Sequence, residues 1–164
     1  MSRLSAGLLL YRTGSADQIE VLLVHPGGPF WKGKNRHAWS IPKGEYLEGQ
    51  DPLGEAEREF AEEIGVSAPG GPRIDLGSVR QASGKQVHAW AIEAGSWTVS
   101  ELASNEFEME WPPKSGRMLM FPEVDRMEWM TIPEALPRIV KAQAGFFDRL
   151  REALDSESGP LGNA

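Results

Sequence analysis

The segment from Gly44 to Val66 constrains this chain more than any other. It holds eight acids (Glu45, Glu48, Asp51, Glu55, Glu57, Glu59, Glu62 and Glu63) against a single base, Arg58. The full 164 residues carry 24 acids and 17 bases for a net charge of −7, so this short stretch holds the whole excess and the rest is neutral. Within it, Asp51 can cap a helix, Pro52 suits the first helical position, and Gly65 can take a left-handed exit; together they predict a helix over 52–64. At about 100° per residue, Leu53, Ala56, Phe60 and Ile64 form an apolar stripe that packs on a sheet. Glu55, Glu59, Glu62 and Glu63 form the neighbouring stripe. Like charges three and four residues apart cost a helix about 0.2–0.5 kcal/mol per pair. Arg58 relieves part of that through Glu62, and the remainder needs solvent or a cation. Hard carboxylate oxygens without thiolate favour Mg²⁺, with Mn²⁺ as a substitute, over zinc.

The flanking sequence supplies a sheet. Leu4–Arg12 and Glu20–His25 are apolar runs separated by a Gly/Ser/Asp turn, and Arg73–Gln81 and Gln86–Glu93 flank Ala82-Ser83-Gly84-Lys85 as a hairpin. Ala38–Ile41, Phe107–Trp111 and Asp125–Met130 read as further strands, and Pro133–Lys141 and Ala144–Ala153 as helices. A mixed sheet covered by helices follows, as one domain over 1–155 with a flexible tail over 156–164. There is no cysteine, which excludes disulfides and thiolate chemistry and makes a reducing cytoplasm the expected location. No apolar run is long enough for a membrane span, and the start turns polar too soon for a signal peptide. With no basic stripe, extended nucleic acid is not an expected partner.

The string Gly44-(five residues)-Gln50-(seven residues)-Arg58-Glu59-Phe60-Ala61-Glu62-Glu63-Ile64-Gly65-Val66 resembles the Nudix box, G-x5-E-x7-R-E-U-x-E-E-x-G-U, at every fixed position but one, where Gln50 stands for glutamate. The resemblance implies an α/β/α sandwich and a hydrolase that splits a nucleoside diphosphate linked to another group X, using Mg²⁺ and an attacking water. Carried over by position, Glu59 and Glu63 are the main metal ligands, Glu62 stands beside them, and Gly44 offers its carbonyl. Arg58 orients the carboxylates. Glu123, six residues before Trp129, matches a further glutamate of the family and is a candidate base or metal ligand.

Trp39-Ser40-Ile41-Pro42-Lys43-Gly44 resembles the W-x-x-P-K-G stretch of diadenosine-polyphosphate and diphosphoinositol-polyphosphate members, which makes Lys43 a phosphate contact and Trp39 a substrate neighbour. Arg36, in an aromatic and basic loop with Phe30, Trp31, Lys32, Lys34 and His37, completes the expected substrate contacts. The resemblance implies a nucleoside triphosphate or dinucleoside polyphosphate as substrate, and a monomer or a homodimer is expected. The alternative is a non-catalytic nucleotide sensor in which Gln50 has weakened the box; the intact Glu62-Glu63 pair favours the enzyme.

Overall fold

The computed structural model describes residues 3–157. Eight strands and three helices follow in order: β1 Leu4–Thr13, β2 Ile19–Pro26, β3 Lys43–Tyr46, α1 Pro52–Ile64, β4 Ile74–Arg80, β5 Gln86–Glu93, β6 Glu106–Glu110, β7 Met118–Pro122, β8 Val124–Thr131, α2 Ile132–Ala135 and α3 Gly145–Glu157. Six strands form the main sheet in the order β4-β5-β1-β2-β8, with β3 also paired to β1. Among the described strands of this sheet β1 and β5 run parallel, and the other strand pairings are antiparallel. β6 and β7 form a separate hairpin.

The apolar run of β1 lies at the centre and is buried on both faces, which is why it reads as continuous rather than alternating. Leu9 and Tyr11 face one core layer with Trp39, Ile41, Phe146, Phe147 and Leu150, under α2 and α3. Ala6, Leu8 and Leu10 face the other layer with Ala56, Phe60 and Ile64 of α1. This is the expected α/β/α sandwich. Among the described residues no helix is long and apolar enough to cross a membrane.

One feature of the sheet builds the site. β2 pairs with β1 only from Ile19 to Val21 against Thr13 to Tyr11, after which the two strands part. The segment 40–46 enters the gap: Ser40 exchanges backbone hydrogen bonds with Val24 at 2.9 and 3.0 Å, the Leu8 N–H donates to the Pro42 carbonyl at 3.1 Å, and β3 pairs with Leu4–Gly7. Lys43 and Gly44 are thereby held inside the sheet, beside α1.

Several elements differ from the sequence expectation. Ala38–Ile41 is not a strand; it makes single bridges, Ser40 to Val24 and Trp39 to Ile139. The helix expected over Pro133–Lys141 shrinks to α2, followed by turns and a 3₁₀ segment, Lys141–Ala144. Tertiary pairing overrides the periodicity here. The carbonyls of Pro137 and Arg138 accept from His37 and Trp39, and the Val140 N–H donates to Trp39, so this backbone pairs with the 37–39 segment. β3 and β7 have no counterpart among the strands expected from the sequence. α3 extends through Glu157, so Ser156 and Glu157 of the expected tail are helical, while 158–164 lie outside the described residues.

Candidate active site

The α1 boundaries follow the chemistry that predicts them. Asp51 accepts from the Gly54 N–H at 3.1 Å, Pro52 opens the helix, and Gly65 exits at φ 98°. Burial of Ala56, Phe60 and Ile64 fixes the helix's rotation and so directs Glu59, Glu62 and Glu63 towards β3 and the 123 region. Gly65 is hemmed in by Ala103, whose N–H donates to the Ile64 carbonyl at 3.1 Å. The Asn105 N–H donates to Glu62's carbonyl at 3.0 Å, and the Glu123 N–H donates to Asn105's at 2.8 Å. This chain of backbone bonds brings Glu123 to the C-terminal half of α1.

Arg58 is the hub of the acidic face. Its guanidinium donates to Glu55 and Glu59 at 2.9 Å and to Glu62 at 2.8 Å, which draws its pKa further up. The anticipated Arg58–Glu62 pair is thus one of three. Gly44 sits against the Glu59 carboxyl group, in contact with Cδ and Oε2 on the side away from Arg58. A strand glycine marks such close approach.

The electrostatics single out three carboxyls. Burial pushes Glu63 up to about 8, with Glu59 and Glu123 adding to the shift and Lys43 opposing it; the Lys43 backbone N–H also holds the Glu63 carboxylate. Burial raises Glu59, against the pull of Arg58 and with a push from Glu62. Burial and Glu62 raise Glu123. Lys43 is lowered to about 8, by burial and by Lys85, while Glu63 draws it back up. Burial first, and mutual repulsion second, hold these three carboxyls above their usual range in spite of Arg58 beside Glu59 and Lys43 beside Glu63.

A cavity of about 400 Å³ lies beside this cluster, with Lys43, Glu63 and Glu123 in its wall together with Trp31, Gln81 and Ser83. Gly44, Arg58, Glu59 and Glu62 adjoin it through the contacts above. Trp39 and Arg36 lie elsewhere. Trp39 is 1% exposed in the core; its indole N–H donates to Asn35 at 3.1 Å and its ring meets His25 edge-on at 5.2 Å. Arg36 is exposed on the 27–37 loop, outside the cavity wall. Gln50, the one departure from the box, accepts from the Leu47 N–H at 2.7 Å and closes its own loop.

Gln81, Ser83 and Lys85 are not among the site residues expected from the sequence, where Gln81 reads as the end of a strand and Ser83 and Lys85 as its hairpin turn. No local spacing marks them, because the pairing of β4 with β5 and of β5 with β1 carries them to β3. Lys85 reaches Glu45 at 3.6 Å.

The donor set fits a hard divalent cation: several carboxylates and, in the cavity beside them, space for retained water. Among the described residues no three Asp, Glu or His side chains converge into a ready-made cage.

The family model of the NUDIX domain matches residues 1–150. The RNA pyrophosphohydrolase of Caulobacter vibrioides is 25% identical over 142 residues, covering 79% of this chain and 80% of that protein. The C. elegans Ap4A hydrolase in its binary complex superposes with a TM-score of 0.67 at 21% identity, over 94% of this chain and 98% of the other. The NUDIX domain of Shewanella oneidensis NrtR, crystallised with ADP ribose, superposes with a TM-score of 0.64 at 17% identity, over 94% and 89% of the two chains. With its box on α1, its sandwich fold and a family match spanning most of its length, the chain belongs to the NUDIX domain family, the Nudix hydrolases.

Proposed function

We propose that this chain is a Mg²⁺-dependent pyrophosphohydrolase whose substrate is a nucleoside triphosphate or dinucleoside polyphosphate. The observation that carries the reading is one cavity in which Glu63 and Glu123 meet Lys43, beside Glu59 and Glu62, with three of the four carboxyls held above their ordinary range. The likeness to an Ap4A hydrolase favours the dinucleoside polyphosphate reading, and the RNA pyrophosphohydrolase relative favours pyrophosphohydrolysis as the reaction.

Glu59 and Glu63, with Glu62 alongside and the Gly44 carbonyl, would hold the metal. When bound, the ion supplies charge neutralisation at the diphosphate oxygens and a lowered pKa for coordinated water. The protein's own groups do the rest. Arg58 fixes the rotamers of Glu59 and Glu62 from the side away from Gly44. Lys43, held between Glu63 and the wall of the cavity, contacts phosphate. Water attacks phosphorus, the anhydride P–O bond breaks, and the bridging oxygen leaves with the departing phosphate. The water's proton passes to Glu123, whose carboxyl is raised above its ordinary value by burial and by Glu62, which makes it a stronger base.

The test is turnover of nucleoside triphosphates, diadenosine polyphosphates, ADP-ribose and nucleotide sugars, with Mg²⁺ or Mn²⁺ and without either. Turnover of the first two classes that collapses in Glu63→Gln is expected. Tight nucleotide binding with no metal-dependent turnover of any compound would overturn the proposal in favour of a sensor.

A further inference from the structure

The cavity wall contains a hydrogen-bond relay that fixes the polarity of one side chain. The backbone N–H of Ile41 can only donate, and it donates to Gln143 Oε1 at 3.0 Å. Gln143 is 0% exposed, so its amide has no solvent to turn towards. Its Nε2 must therefore face the other way, and it donates to Ser40 Oγ and to Gln81 Oε1, both at 3.0 Å. The Ser40 hydroxyl spends its proton on the Ile41 carbonyl at 2.7 Å, which leaves its oxygen to accept from Gln143. Every donor and acceptor in the relay agrees on one orientation. The Gln81 oxygen is turned to Gln143 by this bond, which leaves its NH₂ group, with no partner in the relay, as the end that faces away from Gln143 in the cavity that Gln81 lines.

Turning the Gln81 amide over would set two NH₂ groups against each other beside a buried residue, at the cost of an unmade buried hydrogen bond. Gln81 is thus a fixed donor. The surrounding wall is mostly apolar (Val24, Pro26, Ala38, Val140 and the Trp31 ring), which suits a flat ring with one polar edge rather than a phosphate, for which Lys43 is available in the same cavity.

We infer that Gln81 is a specificity-determining residue that donates to a ring carbonyl of the substrate's base, so that the site favours 6-oxopurine over 6-aminopurine nucleotides. The inference rests on the proposed nucleotide substrate but not on turnover. An amino group at the same ring position would meet the Gln81 NH₂ donor to donor, leaving both unpaired. A discrimination of roughly tenfold or more follows from such a mismatch.

Gln81→Glu is the decisive variant, because a carboxylate keeps one oxygen for Gln143 Nε2 and presents an acceptor where the amide presented a donor. Gln81→Ala removes the group, and its site is partly exposed, so the fold tolerates it. The measurement is the dissociation constant of GTP, ITP and ATP for each full-length protein, by calorimetry with Ca²⁺ to suppress turnover, alongside kcat/KM with Mg²⁺. Wild type is expected to favour GTP and ITP over ATP by about tenfold, Gln81→Ala to bring the ratio near one, and Gln81→Glu to invert it. An unchanged ratio in Gln81→Glu, or no measurable binding of any of the three, overturns the inference. Absence of turnover with the binding ratios as expected would instead count against the hydrolase reading while upholding the role of Gln81.

Discussion

Gly44→Ala tests whether the acidic face and β3 form one machine. The Gly44 φ lies outside the left-handed region, so the backbone accepts alanine without strain. A methyl there runs into Glu59 Cγ, Cδ and Oε2. The obstacle is the end of a flexible side chain, so Glu59 swings away and the sheet stays. The stability terms are small and opposed. Loss of the Glu59–Arg58 contact costs about 0–1 kcal/mol, since Arg58 is half exposed and keeps Glu55 and Glu62. Replacing glycine returns about 0.4–1 kcal/mol through the unfolded chain. The net lies within about 1 kcal/mol of zero, or roughly 2–4 °C in Tm for a domain of this size.

Function should respond very differently. A displacement of about 1 Å at a catalytic group costs on the order of 100-fold, and Glu59 must move further than that. The assay pairs thermal unfolding of the metal-free protein with kcat/KM on diadenosine tetraphosphate with Mg²⁺. A loss of at least about 100-fold with Tm nearly unchanged is expected, and Gly44→Ala with Glu59→Gln should lose little more than either alone, because both remove the same ligand. Wild-type kcat/KM in Gly44→Ala would refute the reasoning, as would a Tm drop of 10 °C or more.

Glu63 makes the metal-free protein sensitive to pH. Its folded pKa, raised to about 8, lies above the unfolded value near 4.5, so the folded state holds the extra proton; stability is greatest at low pH and falls as pH rises between those values. Urea unfolding without metal should show this decline from pH 5 to 7.5 in wild type and a flatter curve in Glu63→Gln. Lys43, lowered to about 8, contributes the opposite slope only above that range. Mg²⁺ binding near pH 7 should release protons, read as a buffer-dependent enthalpy, and a buffer-independent enthalpy would contradict the burial of Glu63. Phe60→Ala, at a fully buried ring 5.8 Å from that of Trp97, should cost about 3–5 kcal/mol in urea unfolding; less than about 1 kcal/mol would mean that α1 is not anchored there. Gln50→Glu should change kcat/KM less than about threefold, because a carboxylate keeps the Leu47 N–H bond; a large gain would show that Gln50 limits the site.

The parts legible in the sequence are those whose physics is local. Asp51, Pro52 and Gly65 bound α1 through caps and turns within a few residues, and the 3.6 period of Leu53, Ala56, Phe60 and Ile64 sets its buried face. The strands of the two main hairpins are likewise written in short runs and turns. What escaped is non-local. The 37–41 and 137–140 segments pair with each other across a hundred residues, which replaced both an expected strand and an expected helix with bridges and turns. Trp39, beside a lysine and glycine that do reach the site, is turned into the core by that same pairing. Gln81 and Ser40 are joined through Gln143 only because the 3₁₀ segment Lys141–Ala144, the end of β4 and the 40–46 wedge converge, and no spacing along the chain records that meeting.

The central claim is that the acidic face of α1, with Glu123, directs water onto a diphosphate phosphorus. The most direct measurement is Mg²⁺-supported reaction of diadenosine tetraphosphate in ¹⁸O-labelled water, with mass spectrometry of the nucleotide products. The account predicts one solvent oxygen in one of the two products per turnover, and none without metal or in Glu63→Gln. Products free of label, or no products from this or any nucleoside triphosphate with Mg²⁺ or Mn²⁺, would contradict it.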